Sequence, residues 1–238
     1  MTRHSQIARK LIAAAVTAFL AVNAASAAER LAPYGANLSE TSVSGLSSGA
    51  AMAVQFHVAH SGTVKGVGVI AGAPYDCAEQ SSNQATGNCM KPDAAHPVPD
   101  IAHLKELTDS LARAGAIDDV ANLNDARVWL FSGRNDGVVL PVVMDATRDY
   151  YAHYVAPDRI VYRKDIGAGH AVVTEDHGDK NCAATKPPFI VDCDFDAANA
   201  LLEQIYGPLN PASAQPAGNI SSSTRRNFCR TAAPIITA

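Results

Sequence analysis

Aromatic side chains are scarce in this 238-residue sequence, at 6%, and there is one tryptophan, Trp129. That disfavours a polymer- or carbohydrate-binding module, which would need a face of exposed aromatic rings. Trp129 itself falls within a buried-strand pattern. No Cys-x-x-Cys pair occurs, so nothing points to a zinc site. Apart from one N-terminal run, no apolar stretch approaches the roughly 20 residues that a membrane-spanning helix needs. An excess of basic charge is also lacking. Hydrophobic residues make up 47% and charged residues 18% of the chain, an ordinary balance for one globular domain.

The N-terminal run reads as a leader. Arg3, Arg9 and Lys10 precede an apolar stretch from Leu11 to Val22, and Ala25-Ser26-Ala27 follows as a small-residue cleavage pattern. This is the layout of a secretory signal peptide, residues 1–27. Its loss removes three basic residues and no acidic one. The remainder carries 16 Lys+Arg against 23 Asp+Glu, a net charge of −7. That balance argues against a nucleic acid or an anionic membrane as partner. In an exported chain, cysteines are read first as disulfides. Cys77 and Cys89 bracket one polar loop, Cys182 and Cys193 bracket another, and Cys229 is left odd. Local bridges are the economical pairing.

Strand and helix patterns alternate along the chain. Residues 41–46, 64–71, 126–131 and 159–162 read as strands, the second and third being continuous apolar runs typical of a parallel sheet. Residues 49–59, 101–114, 141–154 and 196–206 read as helices, and residues 76–100 as a long loop. The alternation implies an α/β fold with crossover helices on both faces of the sheet.

Gly45-Leu46-Ser47-Ser48-Gly49 sits between the first strand and the first helix. This is Gly-x-Ser-x-Gly, the nucleophile elbow, which holds a serine on a sharp strand-to-helix turn. Side chains at Gly45 or Gly49 are expected to clash with the neighbouring strands or helix. A serine hydroxyl needs a base, and the base needs an orienting carboxylate. In this fold they follow in the order Ser, Asp or Glu, His. Asp136, in Gly133-Arg134-Asn135-Asp136-Gly137, follows the third strand, and His170, in Gly167-Ala168-Gly169-His170, follows the fourth. Both therefore stand where active sites of parallel sheets collect. Most of the other seven histidines are expected at the surface; His177 follows no strand. Asp165 and Asp176 lie too close to His170 in sequence to sit on a separate strand end. Asp192, Asp194, Asp196 and Glu203 mimic a calcium loop, but Ala197 replaces the glycine that such a loop requires at its sixth position. No metal and no cofactor is indicated.

Several segments together resemble the extracellular poly(3-hydroxybutyrate) depolymerases with a single catalytic domain. They are Ser-Gly-Leu-Ser-Ser-Gly (44–49), Ala-Gly-Ala-Pro-Tyr-Asp-Cys (71–77), Gly-x-x-Asp-Gly-Val-Val (133–139), Gly-Ala-Gly-His-Ala (167–171) and Tyr-Gly-Pro-Leu-Asn-Pro (206–211). The resemblance implies a circularly permuted α/β-hydrolase that cleaves short-chain polyesters. It implies Ser47 as nucleophile, Asp136 as orienting acid, His170 as base, the Ser48 amide as an oxyanion donor, and the two local disulfides. The expected organisation is a catalytic domain over residues 28–208 and a tail over 209–238. Strands that should flank the nucleophile strand are expected before the elbow or after the last helix, and neither end of the sequence supplies them. The tail 221–238 has no pattern, and is read either as a frameshift near Ile220 or as disorder. The competing functions are a general short-chain carboxylesterase and an inactive remnant.

Overall fold

The computed structural model describes residues 35–211. The leader at 1–27 and the tail from residue 212, with Ile220 and Cys229, lie outside the described residues. Four strands form the main sheet: β1 (Thr41–Leu46), β2 (Val64–Ile70), β3 (Arg127–Phe131) and β4 (Ile160–Arg163). They lie side by side in chain order, and all three pairings are parallel. The helices are α1 (Ser48–Ala59), α2 (Ser82–Thr86), α3 (Ile101–Arg113), α4 (Pro141–Tyr151) and α5 (Ala197–Tyr206). The architecture is α/β. Among the described residues β1 is an edge of the sheet.

Three elements were not legible in the sequence. The long loop over 76–100 contains α2, whose cap is the Ser81 hydroxyl accepting from the Gln84 amide at 3.3 Å. Beyond His170, β5 (Val172–Thr174) and β6 (Ile190–Asp192) form a separate two-stranded parallel sheet. Elements of three to five residues are too short to display a period. The calcium-loop look-alike is dispersed by this arrangement. Asp192 ends β6 and pairs with Lys180, whereas Asp196 caps α5 by accepting from the Asn199 amide at 2.9 Å.

β3 shows why the strands read as unbroken apolar runs. Val128 and Leu130 face a core that also holds Ala50, Val54 and Val58 of α1 and Met144 of α4. Trp129 and Phe131 point to the other face, against Leu201 and Ile205 of α5. Successive side chains alternate faces, and both faces are covered, so Val128 to Phe131 are all apolar. Each such side chain contributes roughly 1.5–3 kcal/mol through its burial. α5 comes close because β2 carries glycine beneath it: a Cβ on Gly68 would lie 2.0 Å from the Leu201 methyl Cδ1.

His57 of α1 is fully buried between α1 and α4, an exception among the histidines other than His170, of which His60, His103, His153 and His177 are exposed as expected. Its Nδ1 stands 3.0 Å from the Tyr151 hydroxyl, and its Nε2 has no partner among the described residues. Burial pushes the Tyr151 hydroxyl pKa up, so that group donates and His57 accepts as the neutral imidazole. Desolvation holds the His57 pKa down at about 4, against 6.5 ordinarily. The unfolded chain therefore binds the proton more tightly, and stability falls as pH drops below 6.5, the loss being complete below about 4. Denaturant unfolding between pH 7 and pH 4 is expected to lose about 3 kcal/mol through this residue alone. The double variant His57→Leu/Tyr151→Phe should flatten that part of the profile; an unchanged slope would show that His57 is not its source.

Candidate active site

Ser47 stands where β1 turns into α1, with φ 59° and ψ −124°. This is a strained conformation for a residue with a side chain. The backbone holds it from both sides. The Ser47 amide donates to the Ile70 carbonyl at 2.9 Å, and the Ser47 carbonyl accepts from the Ala51 amide at 2.9 Å. Ser47 occupies the N-cap position of α1, yet its hydroxyl makes no capping bond. The first amides of α1, that of Ser48 among them, have no intrahelical acceptor and carry the positive end of the helix dipole. They can receive negative charge.

The two glycines of the elbow differ. A Cβ on Gly45 would sit 2.3 Å from the Gly49 carbonyl carbon, a backbone clash that no rotamer can relieve. A Cβ on Gly49 would meet nothing within 4 Å. The expected clash at Gly49 is therefore absent, because its side-chain direction leads to the exposed surface of α1. What Gly45 must clear is Gly49's own backbone.

Asp136 and His170 are brought together. Both are buried, and the Asp136 Oδ2 lies 2.8 Å from the His170 Nδ1. The other carboxylate oxygen, Oδ1, accepts from the amides of Val138 at 2.8 Å and Val139 at 3.0 Å. So one oxygen of Asp136 holds its own loop and the other holds the imidazole. The loop after β4 is bonded to the loop after β3: the Asn135 amide donates to the Ala168 carbonyl at 3.0 Å, and the Asn135 side chain to the Gly167 carbonyl at 2.7 Å. The His170 amide donates to Thr185 Oγ1 at 2.9 Å, and its ring meets Phe189 edge-on. Thr185 and Phe189 left no sequence signal, because they come from the segment between β5 and β6.

Ser47 makes no hydrogen bond to His170, but it shares a cavity with the Asp136 loop. That cavity holds about 380 Å³, and Ser47, Ser48 and Val139 all line it. Its walls are mostly apolar, including Met52, Ala73 and Met90. The Cys77–Cys89 disulfide forms part of the wall; Cys182–Cys193 ties the segment behind His170 to the end of β6. Of the rival groups, Asp165 pairs with Arg163 at 2.9 Å, and His177 contacts Asp176 on the exposed surface. An elbow serine, a buried Asp–His pair and an adjoining apolar cavity suit acyl transfer from a small or extended apolar ester.

Comparison with known proteins shows what the chain as a whole is similar to. No family model matches the chain. It is 44% identical over 223 residues to a poly(3-hydroxybutyrate) depolymerase of Delftia acidovorans, covering 92% of this chain and 44% of the relative. It is 35% identical over 200 residues to a polyhydroxybutyrate depolymerase of Talaromyces funiculosus, covering 83% and 56% respectively. The chain thus spans about half the length of the curated relatives it matches. Two solved structures superpose with a TM-score of 0.69 over 80% of this chain and 57% of theirs. One is the PHB depolymerase from Penicillium funiculosum, at 31% identity. The other is a serine-to-alanine variant of a PHB depolymerase complexed with an R3HB trimer, at 30%.

The difference between the glycines gives a direct test. Gly45→Ala is expected to cost about 1–3 kcal/mol of stability through overpacking. Gly49→Ala should leave stability unchanged or raise it by up to about 1 kcal/mol, since alanine is the better helix former. Thermal unfolding of the two variants decides; equal losses would contradict the geometry of the turn.

Proposed function

Because this chain belongs, over the half that it spans, to the poly(3-hydroxybutyrate) depolymerase family, we propose that it is a secreted serine esterase that cleaves poly(3-hydroxybutyrate) or related short-chain polyesters. The observation that carries this reading is the buried Asp136–His170 contact beside a cavity lined by Ser47. The catalytic domain is assigned to residues 28–208, behind a signal peptide at 1–27. The two disulfides support an oxidising compartment.

The chemistry follows from the roles of the three side chains. Ser47 Oγ attacks the ester carbonyl while His170 Nε2 takes its proton. Asp136 holds the Nδ1 proton of the ring, fixes the tautomer and stabilises the imidazolium that forms. The carbonyl oxygen becomes an oxyanion facing the Ser48 amide at the start of α1. When the tetrahedral intermediate collapses, the ester C–O bond breaks and His170 returns the proton to the leaving alcohol. Water, deprotonated by His170, then releases the acid and restores Ser47. No cofactor or metal enters any step. The apolar cavity suits the aliphatic part of such an ester.

Ser47→Ala should lower kcat for p-nitrophenyl butyrate by about 10³-fold or more, with circular dichroism unchanged. Asp136→Asn should lower it by about 10³–10⁴-fold with little change in KM. Wild-type turnover in either variant would remove that residue from the mechanism. Comparing soluble esters of increasing length with polymer granules separates a depolymerase from a general short-chain carboxylesterase.

A further inference from the structure

The cavity beside Ser47 is apolar along most of its wall but carries two unused polar groups. On one face of α1, Gln55 lies two helical turns beyond Ser48 and lines the cavity with it. Across from it stands Asp76, at the end of the segment that leaves β2. The Asp76 backbone amide donates to Gln55 Oε1 at 3.3 Å, which ties the Gln55 side chain to the Asp76 backbone and makes the two residues neighbours on the cavity wall. This bond occupies the acceptor end of the Gln55 amide and leaves the donor, Nε2, without a partner among the described residues. The Asp76 carboxylate accepts no hydrogen bond there either. Its position is held by a left-handed backbone, φ 51°, one residue before the Cys77–Cys89 bridge.

A donor and an acceptor side by side, in an otherwise apolar cavity, match one simple chemical group. An alcohol hydroxyl accepts one hydrogen bond and donates another. An ether or ester oxygen can only accept, and a methyl group can do neither. Resting on the ester-hydrolase reading above, we propose that Gln55 and Asp76 form a subsite for the free hydroxyl of a hydroxyacyl group whose carbonyl stands at Ser47. The hydroxyl donates to the Asp76 carboxylate and accepts from Gln55 Nε2. Burial, and then the nearby Glu79, hold the Asp76 carboxyl pKa above its ordinary range, as expected for an acid awaiting a donor. The site therefore selects hydroxyl-bearing acyl ends over unsubstituted acyl groups and over chain-internal units, whose 3-oxygen is esterified. Gln55 and Asp76 are specificity residues; neither exchanges a proton in the reaction.

The test compares two acyl groups that differ by this hydroxyl. For the wild-type chain, kcat/KM for p-nitrophenyl 3-hydroxybutyrate should exceed that for p-nitrophenyl butyrate by about tenfold, the value of one net hydrogen bond. Asp76→Gly, chosen because glycine keeps the left-handed backbone, should bring that ratio close to one. Gln55→Glu keeps the acceptor for the Asp76 amide and removes the donor, and should do the same. Asp76→Asn, which retains an acceptor oxygen, should keep part of the preference. The same comparison is made by binding, titrating the Ser47→Ala chain with ethyl 3-hydroxybutyrate and ethyl butyrate under NMR. That arm reads the subsite even where turnover is absent, so loss of the hydrolase reading and loss of the subsite are separate results. Equal affinity for the two esters, or a ratio that Asp76→Gly leaves unchanged, would overturn the proposal.

Discussion

The hydrogen-bond ladder of the main sheet continues past the C-terminal ends of its strands, and the site hangs from that continuation. The Ser47 amide donates to the Ile70 carbonyl, the Ala71 amide to the Phe131 carbonyl, and the Ser132 amide to the Arg163 carbonyl. Each bond joins the residue just beyond one strand to the end of the next. The elbow, the cavity wall and the loops bearing Asp136 and His170 are therefore tied to the ends of the strands they follow. A parallel sheet makes this possible, because all its strands end on the same side. The two cores hold the ladder in register. Side chains of β3 anchor into both, so a shift of register would turn Trp129 and Leu130 to the wrong faces.

Positions further from the ladder need further ties. His170 lies seven residues beyond β4, and it is held by Asp136 on its ring and by Thr185 on its amide. Thr185 comes in turn from a segment that the Cys182–Cys193 bridge and the small β5–β6 sheet keep in place. The second disulfide thus supports the histidine at one remove. The first supports the cavity wall at Asp76, which adopts left-handed backbone, as do Glu79 and Gln80 just beyond it. A bridge is useful there because such backbone is not self-supporting.

These ties mark the line between what the sequence reveals and what it conceals. The places of Ser47, Asp136 and His170 beyond β1, β3 and β4 were legible because the glycine motif marks the end of the first strand and the alternation of strand and helix patterns marks the other two. Gly45 was legible as part of a motif whose steric reason is backbone contact. Gly49 belongs to the same motif, and its reason was misread, since the pattern does not say which glycine meets which atom. Thr185, the β5–β6 sheet and the buried His57 were hidden for a common cause. Their roles depend on contacts between distant segments, and a three-residue strand or a histidine on a helix with no clear polar face carries no period of its own. Gln55 and Asp76 were hidden likewise: 21 residues separate them, and only the packing of α1 beside the segment after β2 makes them a pair.

Two aspartates near the cavity show how the fold divides its polar groups. Asp136 is buried and fully engaged, with two amides on one oxygen and an imidazole on the other. Three of its roughly four acceptor positions are taken, and turning toward a ligand would break two bonds to its own loop and one to the imidazole. Asp76 is only partly buried and its carboxylate holds no donor among the described residues. Its backbone amide, by contrast, is bound to Gln55, so the residue is fixed while its side chain is free. A carboxylate left unbonded on the wall of an apolar cavity is unfavourable unless something is supplied to it. Structural demand explains Asp136 in full and leaves Asp76 unexplained, which is why the second carboxylate is assigned to the substrate and the first to the histidine.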